Sequence, residues 1–207
     1  MNLPNKLTMF RILIVPIMVI VYYIPWLGRH YMIQCDETHG LTWLCFIELL
    51  LFAIASLTDL LDGKIARKCN MVTSFGKFAD PLADKILVFA AMTIIMAAST
   101  KGFLPKGLLP KGLLLPVWVF LIILIREFMV SGIRMVAAVN GEAIAAGMAG
   151  KMKTVVTMIA IIVLFLCGLH DSLIYIGQVL IYIATLLTVI SGIDYIIKGK
   201  KYIFESM

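Results

Sequence analysis

Charge is what this sequence has least of. Only 14% of its 207 residues are Asp, Glu, Lys or Arg, against roughly a quarter in soluble domains. Hydrophobic residues make up 62%, and the mean hydropathy is +1.02. Together these exclude a water-soluble globular chain and predict an integral membrane protein. A span needs about 20 apolar residues and a short loop, or roughly 35 residues per unit. The expectation is an all-α bundle of six transmembrane helices forming a single membrane domain over residues 1–207, without room for a separate extramembrane catalytic domain. Acidic residues are scarcer than basic ones, 12 against 18, for a net charge of +6. In a soluble chain that excess would suggest nucleic acid; here it points to loops resting on anionic membrane lipids, and no nucleic-acid partner is expected. The four cysteines, Cys35, Cys45, Cys69 and Cys167, form no C-x-x-C pair. Cys35 and Cys45 are the pair that could share an outward loop and helix end as a disulfide.

The expected spans are residues 7–27, 41–60, 78–98, 113–139, 152–169 and 173–197. The first has no small-residue cleavage site of the signal-peptide kind, and it ends in Tyr22-Tyr23-Ile24-Pro25-Trp26, an aromatic interface belt. With six spans both termini lie on one side. Loops on that side carry Lys6, Lys64, Arg67, Lys68, Lys77, Lys151, Lys153, Lys198, Lys200 and Lys201, while the opposite loops carry Arg29, Lys101, Lys106 and Lys111. The positive-inside rule therefore places both termini in the cytoplasm. Lys106 and Lys111 sit in a tandem near-duplication whose Pro-Lys-Gly units read as turns. Residues 29–39 gather His30, Cys35, Asp36, Glu37 and His39 at no spacing tied to a metal geometry, and read as a solvated loop.

Acidic groups in apolar spans are costly, and here they are concentrated. Asp59 and Asp62 close the second span, and Asp80 and Asp84 open the third. At about 100° per residue, each pair shares one helical face. The intervening stretch is short enough to make the two helices antiparallel neighbours, so that four carboxylates converge at the cytoplasmic end. Such a group either takes up protons or binds cations. Its oxygen-only ligands favour Mg²⁺ or Mn²⁺, and two ions could be held as in two-metal phosphoryl-transfer sites. The plainer alternative is that these aspartates cap helices or pair with Lys64, Arg67, Lys77 and Lys85. Gly63, Ala66 and Gly76 leave room for a ligand against the backbone, Arg67 supplies a cation suited to a phosphate oxygen, and Pro81 is expected in the first turn of the third span, where its missing N–H costs nothing.

The stretch Asp59-Leu60-Leu61-Asp62-Gly63-Lys64-Ile65-Ala66-Arg67, followed by Gly76, Asp80 and Asp84, resembles the defining motif of the CDP-alcohol phosphatidyltransferase family, D-x2-D-G-x2-A-R-x8-G-x3-D-x3-D, at every fixed position. The resemblance implies that Asp59 and Asp80 bridge two metal ions, with Asp62 completing one and Asp84 contacting the other. It also makes Asp84 the general base. Gly63, Ala66, Arg67, Thr73 and Gly76 would contact the CDP-lipid, with Asn5 and Thr8 closing over the nucleotide. CDP-diacylglycerol is the implied donor, CMP the leaving group, and a homodimer with its active site at the cytoplasmic face the implied assembly.

Arg126 and Glu127 fall in the middle of the fourth span, Arg134 two turns on, and Lys151 and Lys153 at the entry of the fifth. Charges at this depth face a cavity or a partner. Glu127 and Arg134, seven residues apart, share a face, and Arg126 could line the same pocket from the side. One reading is an Arg126 to Glu127 ion pair with snorkelling lysines. The other is that Arg126, Arg134 and Lys151 bind the phosphate of a small acceptor alcohol. The stretches from Arg126 to Arg134 and from Gly150 to Thr154, and the opening Asn2 to Arg11, resemble family members whose acceptor is sn-glycerol 3-phosphate. Members that use other acceptors share the same aspartates, and a cation transporter with intramembrane carboxylates is the rival of a different class. Glu48 is expected to face an interhelical polar partner; Asp194 lies near the end of the sixth span.

Overall fold

The computed structural model describes residues 3–35, 40–68, 74–105, 107, 114–139 and 147–204; of residues 3–4, 60–68, 74–78, 139 and 201–204 it describes the backbone alone. The chain runs through α1 (Leu3–Tyr22), α2 (Pro25–Arg29), β1 (Tyr31–Gln34), β2 (Gly40–Thr42), α3 (Trp43–Lys68), α4 (Ser74–Thr100), α5 (Val117–Val139), α6 (Met148–Leu166), a 3₁₀ turn (Cys167–Leu169) and α7 (Asp171–Phe204). In α1, Ile14, Met18 and Tyr22 are buried while Phe10, Leu13, Ile17 and Ile20 are exposed. A helix whose outward face is as apolar as its inward one belongs in lipid. By length and composition, α1, α4, α6 and α7 qualify to cross a membrane. The other two long helices hold more charge: α3 carries Glu48 and Asp59, and α5 carries Arg126, Glu127 and Arg134.

α1 packs against both α3 and α4, α7 against both α5 and α6, and α3 touches α6 to join the two groups. The shared core centres on Phe52, Leu87, Met92, Ile95, Ile161 and Leu164, each at most 2% exposed. Small residues at Ala90-Ala91, Ala97-Ala98 and from Gly141 to Gly150 would permit close helix contact; of these, Ala91 and Ala98 are buried inside this core, and residues 141–146 lie outside the described residues.

Several boundaries differ from the sequence-based expectation. The first helix stops at Tyr22 rather than running to residue 27, because Pro25 disfavours helical geometry just before it, and α2 starts afresh with that proline. The loop expected at 29–39 contains half of a small antiparallel sheet, with Tyr31 opposite Thr42, Ile33 opposite Leu41 and Gln34 opposite Gly40, within a fold that is mostly helical. α3 runs on to Lys68 and α4 starts at Ser74, so the aspartates sit inside helices and do not cap them. Pro81 is accordingly interior to α4, where it removes a donor for the carbonyl of residue 77. Cys35 is exposed, Cys45 buried, and both are free thiols.

The sheet lies at the end of the bundle remote from the aspartates, where the α6–α7 connection meets it backbone to backbone. A Cβ at Gly168 would lie 2.3 Å from the Gly40 carbonyl oxygen. Gly168→Ala is expected to cost about 1–3 kcal/mol through forced separation of these segments, read as a lower melting temperature in detergent. At the same end, the Lys101 ammonium stands 4.5 Å from the centre of the Tyr22 ring and 5.5 Å from that of Tyr23. This aromatic seat accommodates one of the lysines that run against the charge rule.

Candidate active site

The buried stripe of α1 changes character along its length. Beyond Arg11 it is apolar, but its first part presents Asn5, Thr8 and Arg11, which are 9%, 1% and 0% exposed. Spacing of three residues keeps them on one face, and that face meets the aspartates of α3 and α4. The Thr8 hydroxyl donates to Asp80 Oδ1 at 2.5 Å. Arg11 reaches both neighbouring helices, with Nη2 3.0 Å from Asp59 Oδ1 and Nη1 2.5 Å from Asp84 Oδ1. The aspartate side chains remain partly open, 28% exposed for Asp59 and 40% for Asp84.

Arg11 is one participant that sequence reasoning missed. It reads as a basic residue leading an apolar run, yet a lone arginine in a membrane helix, one turn after Thr8, must find an anion inside the protein. Asp62, Gly63, Ala66, Arg67 and Gly76 fall where only the backbone is described, and Thr73 lies outside the described residues. The oxygen-only chemistry of Asp59, Asp80 and Asp84 suits a hard divalent cation. Among the described residues no three such side chains close into a metal-sized cluster; the Arg11 guanidinium stands between two of the carboxylates.

Asp59 and Asp84 open onto a cavity of about 560 Å³ whose lining also includes Lys85, Arg126, Glu127, Ser131, Arg134 and Lys153. α4, α5 and α6 thus bring four cations to one carboxylate beside the aspartates. Glu127 takes a hydrogen bond from Arg126 Nη1 at 2.7 Å and another from the Lys153 ammonium. Lys85 donates to the Ser131 hydroxyl and to the Glu127 carbonyl oxygen, the latter at 3.3 Å. The Arg126 to Glu127 ion pair is therefore present and lines the cavity at the same time. Lys151 is exposed and absent from this lining; Lys153, two residues further and over half a helical turn round, takes the inward position. Lys85 has no counterpart in the sequence-based acceptor set, where it figured as an ion-pair partner of the aspartates. Of the remaining acids, Glu48 is buried with neither carboxylate oxygen hydrogen-bonded among the described residues, and Asp194 pairs with Lys198 at 2.6 Å on the surface.

The family model for CDP-alcohol phosphatidyltransferase matches residues 1–190. The chain belongs to the CDP-alcohol phosphatidyltransferase family. Three similar family members, all named "CDP-diacylglycerol--glycerol-3-phosphate 3-phosphatidyltransferase", come from bacteria. The protein of Bacillus subtilis (strain 168) is 43% identical over 175 residues, covering 84% of this chain and 81% of the relative. That of Rickettsia typhi is 35% identical over 179 residues, covering 86% and 84%. That of Escherichia coli (strain K12) is 32% identical over 165 residues, covering 77% and 74%. The stretch matched by the family model includes the aspartates of α3 and α4, the α1 face that binds them, and the cation cluster of α5 and α6.

Proposed function

We infer that the chain transfers the phosphatidyl group of CDP-diacylglycerol to sn-glycerol 3-phosphate, giving phosphatidylglycerol phosphate and CMP. The observation that carries this reading is the single cavity joining Asp59 and Asp84 to Lys85, Arg126, Arg134 and Lys153. A cavity acidic at one side and cationic at the other suits a reaction that deprotonates an alcohol bearing a phosphate. A neutral acceptor would leave the cationic side uncompensated. The names of the bacterial relatives agree with this acceptor.

The acceptor phosphate sits among the cations, which directs its primary hydroxyl toward Asp84. An Asp84 carboxylate oxygen takes the hydroxyl proton as the acceptor oxygen bonds to the phosphorus that bears the diacylglycerol, and the bridging oxygen leaves with CMP. Thr8 and Arg11 hold Asp80, Asp59 and Asp84 to α1, while Asn5, Gly63, Ala66, Arg67, Thr73 and Gly76 are assigned to the CDP-lipid. Asp59, Asp62, Asp80 and Asp84 would hold two Mg²⁺ or Mn²⁺ ions. The bound metal would draw charge from the pyrophosphate and stabilise the departing CMP.

The same reading gives six spans with both termini and the active site at the cytoplasmic face of a bacterial inner or plasma membrane, supported by the basic residues near the termini. A homodimer is the proposed assembly. Purified protein with Mg²⁺ and CDP-diacylglycerol is expected to release CMP when given glycerol 3-phosphate, and to lose that activity on chelation until Mg²⁺ or Mn²⁺ is restored. Release with serine, inositol 1-phosphate or phosphatidylglycerol instead would move the acceptor assignment. No release with any of them, together with cation flux in proteoliposomes, would replace the enzyme by a transporter.

A further inference from the structure

Among the described residues α7 contributes none to the cavity lining, yet it holds both arginines that do. Arg126 Nη2 donates to the Ser191 hydroxyl and Arg134 Nη2 to the Tyr195 hydroxyl. The two guanidinium carbons stand 5.5 and 5.1 Å from the centre of the Tyr195 ring, within reach of a cation–π attraction. Ser191 and Tyr195, one turn apart, are 2% and 1% exposed. Between them the helix surface is cut back for the Arg126 stem, since a Cβ at Gly192 would lie 3.2 Å from Arg126 Cγ. On the facing helix α6, a Cβ at Gly150 would lie 3.5 Å from Arg126 Nη2.

We propose that Tyr195, backed by Ser191, is a positioning residue that sets the preference for a phosphorylated acceptor by fixing Arg126 and Arg134 at the cavity wall. Arg134 is exposed, and an unrestrained arginine there would sample many rotamers, losing that freedom whenever a phosphate binds. Tethered through one N–H to Tyr195, it keeps its other donors for the ligand and is already in place before binding. Arg126, with one hydrogen bond to Glu127 and one to Ser191, is held in the same way. The ring itself serves both cations, so its removal should reach further than loss of the hydroxyl.

This inference rests on glycerol 3-phosphate as acceptor, and steady-state kinetics for both substrates separate it from that reading. Tyr195→Phe is expected to raise the KM for glycerol 3-phosphate about tenfold, with the KM for CDP-diacylglycerol at its wild-type value. Ser191→Ala should shift the same constant less, and Tyr195→Leu more. In a double-mutant cycle, Arg134→Ala with Tyr195→Phe should be no worse than Arg134→Ala alone, because the hydroxyl acts through that arginine. Additive effects in the cycle, or equal rises in both KM values, would overturn the positioning role while leaving the acceptor assignment standing. An unchanged glycerol 3-phosphate KM in Arg134→Ala would overturn the acceptor site itself, and the inference with it.

Discussion

Asp84→Asn is expected to lower kcat by about 10³-fold, in the middle of the range for loss of a general base. The substitution keeps the shape of the side chain, and the amide oxygen can still accept the hydrogen bond that Arg11 Nη1 makes at 2.5 Å. What it removes is a group able to take the proton from the attacking hydroxyl. Asp84 lines the cavity together with Asp59 and the four cations; under the proposed function its side chain lies where acceptor and donor meet, and none of the proposed CDP contacts depends on its charge alone. CDP-diacylglycerol binding should therefore survive, measured by equilibrium binding of the labelled donor to detergent-solubilised protein. A kcat near the wild-type value in this variant would remove Asp84 as the base, whereas parallel loss of binding would make it chiefly a structural or metal-holding group.

The membrane class and the six long helices of the described residues were legible in the sequence because hydropathy is read residue by residue. The aspartates were legible because carboxylates in apolar helices stand out against that background. Helix ends were less so. The expected loop between the second and third spans was bounded by where apolarity fails, but α3 and α4 continue through polar residues that cannot be told from loop by hydropathy. The small sheet is only four residues paired with three, too short to show an alternation. Lys151 and Lys153 illustrate a different limit. Both are basic residues at the start of α6, and which one faces inward is set by the phase of the helix against α5 and α7, a matter of packing that spacing alone leaves undetermined. The holding roles of Ser191 and Tyr195 belong to the same class, since a serine and a tyrosine in an apolar helix carry no sign of the arginines they meet from sixty-odd residues away.

Replacing Arg11 tests whether the α1 face does more than close the bundle. Its guanidinium is fully buried and its fork spans two helices, to Asp59 at 3.0 Å and Asp84 at 2.5 Å. In Arg11→Met the stem volume is largely kept but the carboxylates lose their shared cation. Breaking a fully buried pair costs about 3–5 kcal/mol and a surface pair about 0–1; with both aspartates partly open to solvent, an intermediate loss of about 2 kcal/mol is expected. The effect on catalysis should be larger, about 100-fold in kcat/KM, because misplacing a catalytic group by an ångström is enough for such a loss. Arg11→Lys separates charge from geometry. An ammonium is a point charge that can engage one carboxylate well but lacks the planar fork that holds two at once, so this variant should recover most of the stability and little of the activity. Thermal unfolding in detergent and CMP release measure the two quantities on the same preparations. Full activity in Arg11→Met would show that Asp59 and Asp84 are held in place by other means, and full recovery of activity in Arg11→Lys would show that neutralising charge, rather than bridging α3 to α4, is what the site requires of this residue.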